Sequence, residues 1–206
     1  MNRFSLLLIV TGLAMMSYSL YEYVPQFFIG EYGDESVQQA LQQKNQLKQE
    51  PVVLEKVPDE EEEEPLYKTR PKMNEKFGEL IIPSLKAVLP IIEGTDPDQL
   101  EKGVGHYKNS VLPGEDDNTV LSGHRDTVFR ELGKLKINDL LIVKTTAGTF
   151  NYRITKTWIT DKDDRSVIVS HKGNYILTLT TCYPFNWIGS APQRYIVQAK
   201  LESSQF

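Results

Sequence analysis

The chain has 206 residues, a net charge of −5 and one cysteine, and its 40% apolar and 10% aromatic content is that of a globular protein. The lone cysteine excludes an internal disulfide, a Cys-x-x-Cys redox pair and a four-cysteine zinc framework, so the fold must be held by packing. Charge is unevenly spread: Glu31–Pro65 carries eleven acids against three bases, a balance of −8, which leaves +3 on the rest without the Lys/Arg stripe that marks a nucleic-acid binder.

Taken in order, Phe4 to Tyr21 is an uncharged run of 18 residues. At about 1.5 Å per residue it nearly spans a hydrocarbon core as a helix. Arg3 and the amino terminus precede it and Glu22 follows, so the positive-inside rule predicts a cytoplasmic amino terminus and an external remainder. No Ala-x-Ala site follows the run, which favours an uncleaved anchor over a cleaved signal peptide. Residues 1–30 are therefore assigned to the amino terminus and membrane anchor, 31–65 to an acidic flexible linker closed by the six acids Asp59–Glu64, and 66–206 to one folded domain.

From about Phe77 the pattern becomes short strands between turn signals, which predicts an all-β barrel or sandwich with incidental helices. Strands are expected at Gly78–Ile82, Ala87–Ile92, Thr119–Ser122, Asp139–Thr145, Thr149–Thr160, Ser166–Val169, Tyr175–Thr181 and Arg194–Leu201. Asp96 caps a brief helix with Pro97 at its first position, and Asp126 caps a single helical turn that stops at Gly133.

Cys182 stands at the end of an apolar strand, beside Tyr183-Pro184, where pairing should stop because proline cannot donate to a ladder. Such a thiol reads equally as a small buried hydrophobe or as a displayed nucleophile. Of His106, His124 and His171, His124 is the best placed, because it follows a strand at Gly123 as Cys182 follows its own. If Tyr175–Thr181 and Arg194–Leu201 are antiparallel neighbours, Arg194 faces Cys182 across the base of the intervening loop. Its fixed, permanently charged donors suit a carbonyl that becomes an oxyanion. Thr178 and Thr180 share the strand face of Cys182 and would floor a groove for an extended peptide, while Leu177, Leu179 and Thr181 point the other way. The loop Tyr183–Gln193, with Tyr183, Phe185 and Trp187, is either a wall of that groove or a small packing cluster.

These residues resemble a family. Thr178-Leu179-Thr180-Thr181-Cys182 is similar to the TLxTC signature of the sortases, cysteine transpeptidases of Gram-positive cell surfaces. Leu121-Ser122-Gly123-His124-Arg125-Asp126 around the histidine and Arg194 at the head of the last strand strengthen the match over Phe77–Leu201. The chain is most like class D, with class A the nearer competitor and class C disfavoured for want of an Asp-Pro-aromatic lid. The resemblance implies an eight-stranded sortase-type β-barrel with Cys182 as nucleophile, His124 as acid and base, and Arg194 as oxyanion or substrate donor. Thr178, Thr180 and Trp187 would touch the peptide. Substrates would be secreted proteins with carboxy-terminal LPxT-type sorting signals, and the acceptor a cell-wall amine.

No metal or other cofactor is implied. A calcium effect of the kind some sortases show would have to come from Asp161–Asp164 or Glu115–Asp117, which read as turns because the spacing fails the calcium-loop pattern. The rival from another class is an idle, membrane-tethered β-barrel that binds a peptide, with Cys182, His124 and Arg194 structural.

Overall fold

The structure is a computed structural model that describes residues 12–18, 38, 65–186 and 189–206. Residues 12–18 are helical. Among the described residues no helix is long and apolar enough to cross a membrane, and most of the expected anchor, like the linker, lies outside them.

Eight strands form: β1 Lys76–Ile82, β2 Ala87–Glu93, β3 Val104–His106, β4 Asp117–Ser122, β5 Leu140–Thr145, β6 Gly148–Asp161, β7 Tyr175–Tyr183 and β8 Gln193–Gln205. They close into a barrel in the order β1-β2-β3-β4-β7-β8-β6-β5, which leaves no open sheet edge. The β2–β3 and β4–β7 pairs are parallel and the others antiparallel. The short helix α1, Pro97–Leu100, crosses from β2 to β3; the backbone N–H of its cap Asp96 donates to Gln99 Oε1 at 2.8 Å.

Strand alternation fills the interior. Leu177 and Leu179 of β7 meet Val197 and Ala199 of β8, Leu121 of β4 and Leu80 of β1 in one cluster of essentially zero exposure. At roughly 25 cal/mol per Å² of apolar area removed from water, this burial is the main stabilising term. The β5–β6 turn depends on Gly148, at φ +143°, where a Cβ would lie 2.3 Å from the Gln205 carbonyl oxygen. The end of the barrel where the domain begins is closed by Tyr67, whose hydroxyl donates to the Pro113 carbonyl at 2.6 Å, and burial pushes that phenol's pKa upward.

Three sequence expectations need correction. Ser166–Val169 is not a strand: Ser166–Ile168 is a 3-10 turn, set by the Ser166 N–H donating to Asp164 Oδ1 at 2.8 Å. Asp126 does not cap a helix; its carboxylate lies 3.6 Å from Arg125 Nε, and the following turns are headed by the His124 carbonyl, which accepts from Phe129 N–H at 3.0 Å. Gly133 does not stop helical structure either, because a 3-10 turn runs through it over Leu132–Lys134. The brief β3 was not expected, and β8 runs four residues past Leu201.

Candidate active site

The parallel pairing of β4 with β7 brings the histidine to the cysteine. Ser122 pairs with Thr180, and beyond that pair the Gly123 N–H still donates to the Thr180 carbonyl at 3.2 Å. The Thr181 hydroxyl, buried, donates to the Gly123 carbonyl at 2.7 Å. Continuing the register by two residues sets His124 level with Cys182, and parallel neighbours stand about 4.8 Å apart. Gly123 admits nothing larger than hydrogen, since a Cβ would come within 2.6 Å of the Phe129 ring and 2.8 Å of Val128. That close approach folds the chain sharply after His124 and keeps the imidazole exposed at the turn.

On the other side, β7 and β8 are antiparallel and Cys182 is the register partner of Arg194. Cα atoms of such partners lie about 4.5–5.5 Å apart, so both side chains rise from one point on the sheet. Leu177 and Leu179 face the interior, hence Thr180 and Cys182 face outward, as alternation requires. Arg194 Nη1 donates to the carbonyls of Gln193 at 3.0 Å and Ala191 at 3.3 Å. Its Nε–H and Nη2–H groups bond to nothing among the described residues and remain for a ligand.

His124, Cys182 and Arg194 line one cavity of about 280 Å³ on the outer face of the barrel, together with Thr180, Thr181, Ser122, Gly123, Thr95 and Leu100. Its floor is the ends of β4 and β7, with the Thr95–α1 segment on one flank and the start of β8 on the other. A larger hollow, about 640 Å³, lies between Pro65, Tyr175 and Phe206, and neither a histidine nor a cysteine lines it. Chemistry, not size, distinguishes the smaller cavity.

The other candidates separate cleanly. His106 is buried, with Nδ1 2.6 Å from Glu93 Oε2 and Nε2 3.0 Å from the Val111 carbonyl, a structural pair inside the wall. His171 sits in the β6–β7 loop, its backbone N–H bound to Asp117. Of the residues expected to touch a peptide, Thr180 lines the cavity, whereas Thr178 is fully buried and donates to Asn118 Oδ1 at 2.7 Å. Trp187 lies outside the described residues. Tyr183 and Phe185 pack with Tyr195 at centroid distances of 5.4–6.2 Å.

Among the described residues no group of three or more His, Cys, Asp or Glu side chains could hold a metal ion. The acids of the suspected calcium turns are engaged: Glu115 with Arg70 and the Leu112 N–H, Asp116 with the Gly173 N–H, Asp164 with Thr160 and Ser166. Residues that the sequence pattern concealed are Thr181, which looked like a core position, and Arg125. Arg125 is buried beside His124 and donates from Nη2 to the Gly189 carbonyl at 3.0 Å, so it ties the β7–β8 loop to the histidine turn. An arginine directly after a candidate histidine was the available signal.

This arrangement agrees with known proteins. The family described as Sortase domain matches residues 80–202, more than half of the chain. The chain belongs to the sortase family. It is 53% identical over 131 residues to Sortase D of Bacillus subtilis strain 168, covering 64% of this chain and 66% of that protein, just under two thirds of its length. The catalytic domain of B. anthracis SrtD is 49% identical, with a TM-score of 0.57 over 67% of this chain and 95% of that one. The SrtA sortase of Actinomyces oris gives a TM-score of 0.62 at 28% identity, covering 66% of this chain and 85% of that one. Within the sortases the two sortase D relatives place the chain with class D.

Proposed function

We propose that this sortase is a membrane-anchored cysteine transpeptidase that cleaves LPxT-type sorting signals after threonine and passes the protein to a cell-wall amine. The observation that carries this reading is the meeting of a thiol, an imidazole and a guanidinium from three strand ends in one solvent-open cavity.

The chemistry divides a hard acyl transfer into two steps. Cys182 Sγ, as thiolate, bonds to the carbonyl carbon of the signal's threonine, and the carbonyl electrons move onto oxygen. The Nε–H and Nη2–H groups of Arg194, the register partner of Cys182 in the same cavity, carry a permanent charge and would donate to that oxyanion. Collapse breaks the C–N bond, and His124 delivers a proton to the departing amine. The acyl chain is now a thioester on Cys182. An incoming amine then loses its proton to His124 and attacks the thioester carbon, and sulfur leaves as thiolate.

The anchor reading is compatible with the point at which the chain enters the barrel. The chain enters at Pro65 and Leu66, beside Tyr175 at the start of β7, and the cavity lies at the far end of that strand. Seven residues at about 3.3 Å each put them roughly 23 Å apart. With residue 1 cytoplasmic, an external catalytic domain on the flexible tether of residues 31–65 would meet secreted substrates and wall precursors outside the membrane.

The test is to incubate the full-length chain with a library of LPxT-containing peptides and an amine acceptor, and to follow products by mass spectrometry. Cleavage after threonine with transfer to the amine is expected. Failure to process any library member would remove the reading in favour of a peptide-binding barrel.

A further inference from the structure

The inner face of the β7–β8 pair carries a further hollow, behind the residues of the candidate site. Alternation sends Tyr183 to the opposite face of the sheet from Cys182, and Tyr195 to the opposite face from Arg194. Both continue the interior rows, Leu177 and Leu179 on β7 and Val197 and Ala199 on β8. There Tyr183, Phe185, Tyr195 and Ile159 line a cavity of about 350 Å³ whose other side is the β4–β5 loop. It shares no residue with the cavity of His124, Cys182 and Arg194, so the two can be perturbed separately.

Three rings form the floor of this hollow. Tyr183 and Phe185 meet edge to face at a centroid distance of 5.6 Å, and Tyr195 stands 5.4 Å from Phe185 and 6.2 Å from Tyr183. The β4–β5 loop is seated on them at Gly133, where a Cβ would come within 2.7 Å of the Phe185 ring. Ile159, the register partner of Tyr195, is 43% exposed. The charges of the rim are already paired: Lys134 bridges to Glu131, and Arg130 donates from Nε and Nη2 to the Asp126 carbonyl at 2.9 and 2.5 Å. By contrast, the hydroxyls of Tyr183 and Tyr195 bond to no protein group among the described residues.

An aromatic floor, paired charges and unpartnered hydroxyls suit a ligand that is neutral, flat-faced and rich in hydroxyls. A charged ligand would have to break the existing pairs, and a hydrocarbon tail would leave two phenol hydroxyls facing it unsatisfied. Sugars have the matching chemistry. The C–H bonds on one face of a pyranose carry partial positive charge and stack on the negative face of an aromatic ring, while the ring hydroxyls reach donors and acceptors at the rim. The volume takes roughly one or two such rings. We propose that this hollow is a glycan subsite for the acceptor, holding a cell-wall sugar while the attached amine reaches the thioester on the other face of β7–β8. The inference rests on the transpeptidase reading of the Cys182 cavity. Around the strand ends the hollow and the sulfur lie roughly 10 Å apart, which a peptide stem of about three residues between sugar and amine spans.

Binding and acceptor use are measured with the full-length chain in phospholipid nanodiscs. Calorimetric titration with a tetramer of N-acetylglucosamine should saturate on the wild type. Tyr195→Leu, which removes ring and hydroxyl, and Ile159→Asp, which puts a charge beside the rings, should each weaken that binding by about tenfold or more, and Tyr195→Phe, which keeps the ring, by about threefold. With an LPxT peptide as donor, Tyr195→Leu and Ile159→Asp should raise KM about tenfold for a peptide amine linked to the tetramer and leave kcat within about twofold. Neither parameter should change for the same peptide amine without sugar. Ile159→Asp, at an exposed position, decides the matter if Tyr195→Leu does not fold.

A wild type that does not bind the tetramer saturably, or variants that bind it as tightly as the wild type, would overturn the proposal. So would an equal loss with the glycosylated and the plain amine, which would place the effect in the Cys182 cavity. Saturation by the LPxT peptide in place of the tetramer, lost in Ile159→Asp, would assign the hollow to the donor and overturn it as well. A wild type that cleaves no peptide would instead fail the transpeptidase reading and with it the acceptor role. The titration would then decide the glycan site on its own.

Discussion

The two ends of the β4–β7 pair make the same kinds of side chain do opposite things. At the start of the strands, Asp116, Asp117, Asn118 and Thr178 spend their polar atoms on the β6–β7 loop or on each other. At the finish, His124, Cys182 and part of Arg194 are satisfied by no protein group among the described residues and open into a shared cavity. Buried polar groups that are paired specify structure, whereas groups held in place by backbone but left unpaired are available for a ligand. The pairing of β4 with β7 sets both ends at once.

The largest effects should come from the open end. Cys182→Ala and His124→Ala should each lower peptide turnover by about a thousandfold or more, and the double variant little further, because residues that act as one unit are not additive. Thermal melting of both should match the wild type, since neither side chain supports the core; a large drop in Tm would mean that this end is structural after all.

Thr181 links the two functions, and its loss should be intermediate. Thr181→Val removes the hydroxyl that holds the Gly123 carbonyl and leaves that buried oxygen short of a donor. We expect turnover to fall about tenfold or more through displacement of His124, with a loss of about 1–3 kcal/mol of stability in denaturant unfolding. Stability unchanged together with full activity would break the proposed tie.

At the closed end, Asp117 should make stability respond to acid. Burial opposes ionisation of Asp117, but hydrogen bonds from the His171 N–H, the Ser170 hydroxyl and the Asn118 N–H outweigh it and hold the carboxyl below its usual range. A depressed carboxyl stabilises the fold above its unfolded pKa, about 3.9, and that contribution disappears as pH falls through the lower folded value. The Tm difference between wild type and Asp117→Asn should therefore be present at neutral pH and shrink below about pH 4. A difference that is constant with pH would show that the charge is irrelevant. The smallest effect is expected at Thr119, whose fully buried hydroxyl finds no partner among the described residues. Thr119→Val should leave unfolding free energy unchanged or raise it by about 1 kcal/mol.

The strands and their faces were legible because the alternation of Tyr175–Thr181 and Thr149–Thr160 follows a period of two with β-branched and aromatic residues. The meeting of Cys182, His124 and Arg194 in one cavity was legible because Cys182 is alone, His124 ends a strand after glycine, and Arg194 begins the next antiparallel strand at a loop's length. What could not be read was which polar outward residue is covered by a distant segment. Thr178 and Thr180 have the same side chain and the same facing, and only the path of the β6–β7 loop, pinned by Asn118, separates a buried anchor from a cavity wall. Ser166–Val169 misled for a related reason: its apolar run resembles a strand, but its carbonyls go to a side-chain amide instead of a ladder.

In the proposed reaction Cys182 carries the acyl chain. Intact-mass measurement of the full-length chain, quenched in acid during turnover of an LPxT peptide, tests it most directly. The expected result is an added mass equal to the peptide up to and including threonine, less water, located on Cys182 and discharged by an amine. Cleavage that persists in Cys182→Ala, or turnover by the wild type without any adduct on Cys182, would contradict it.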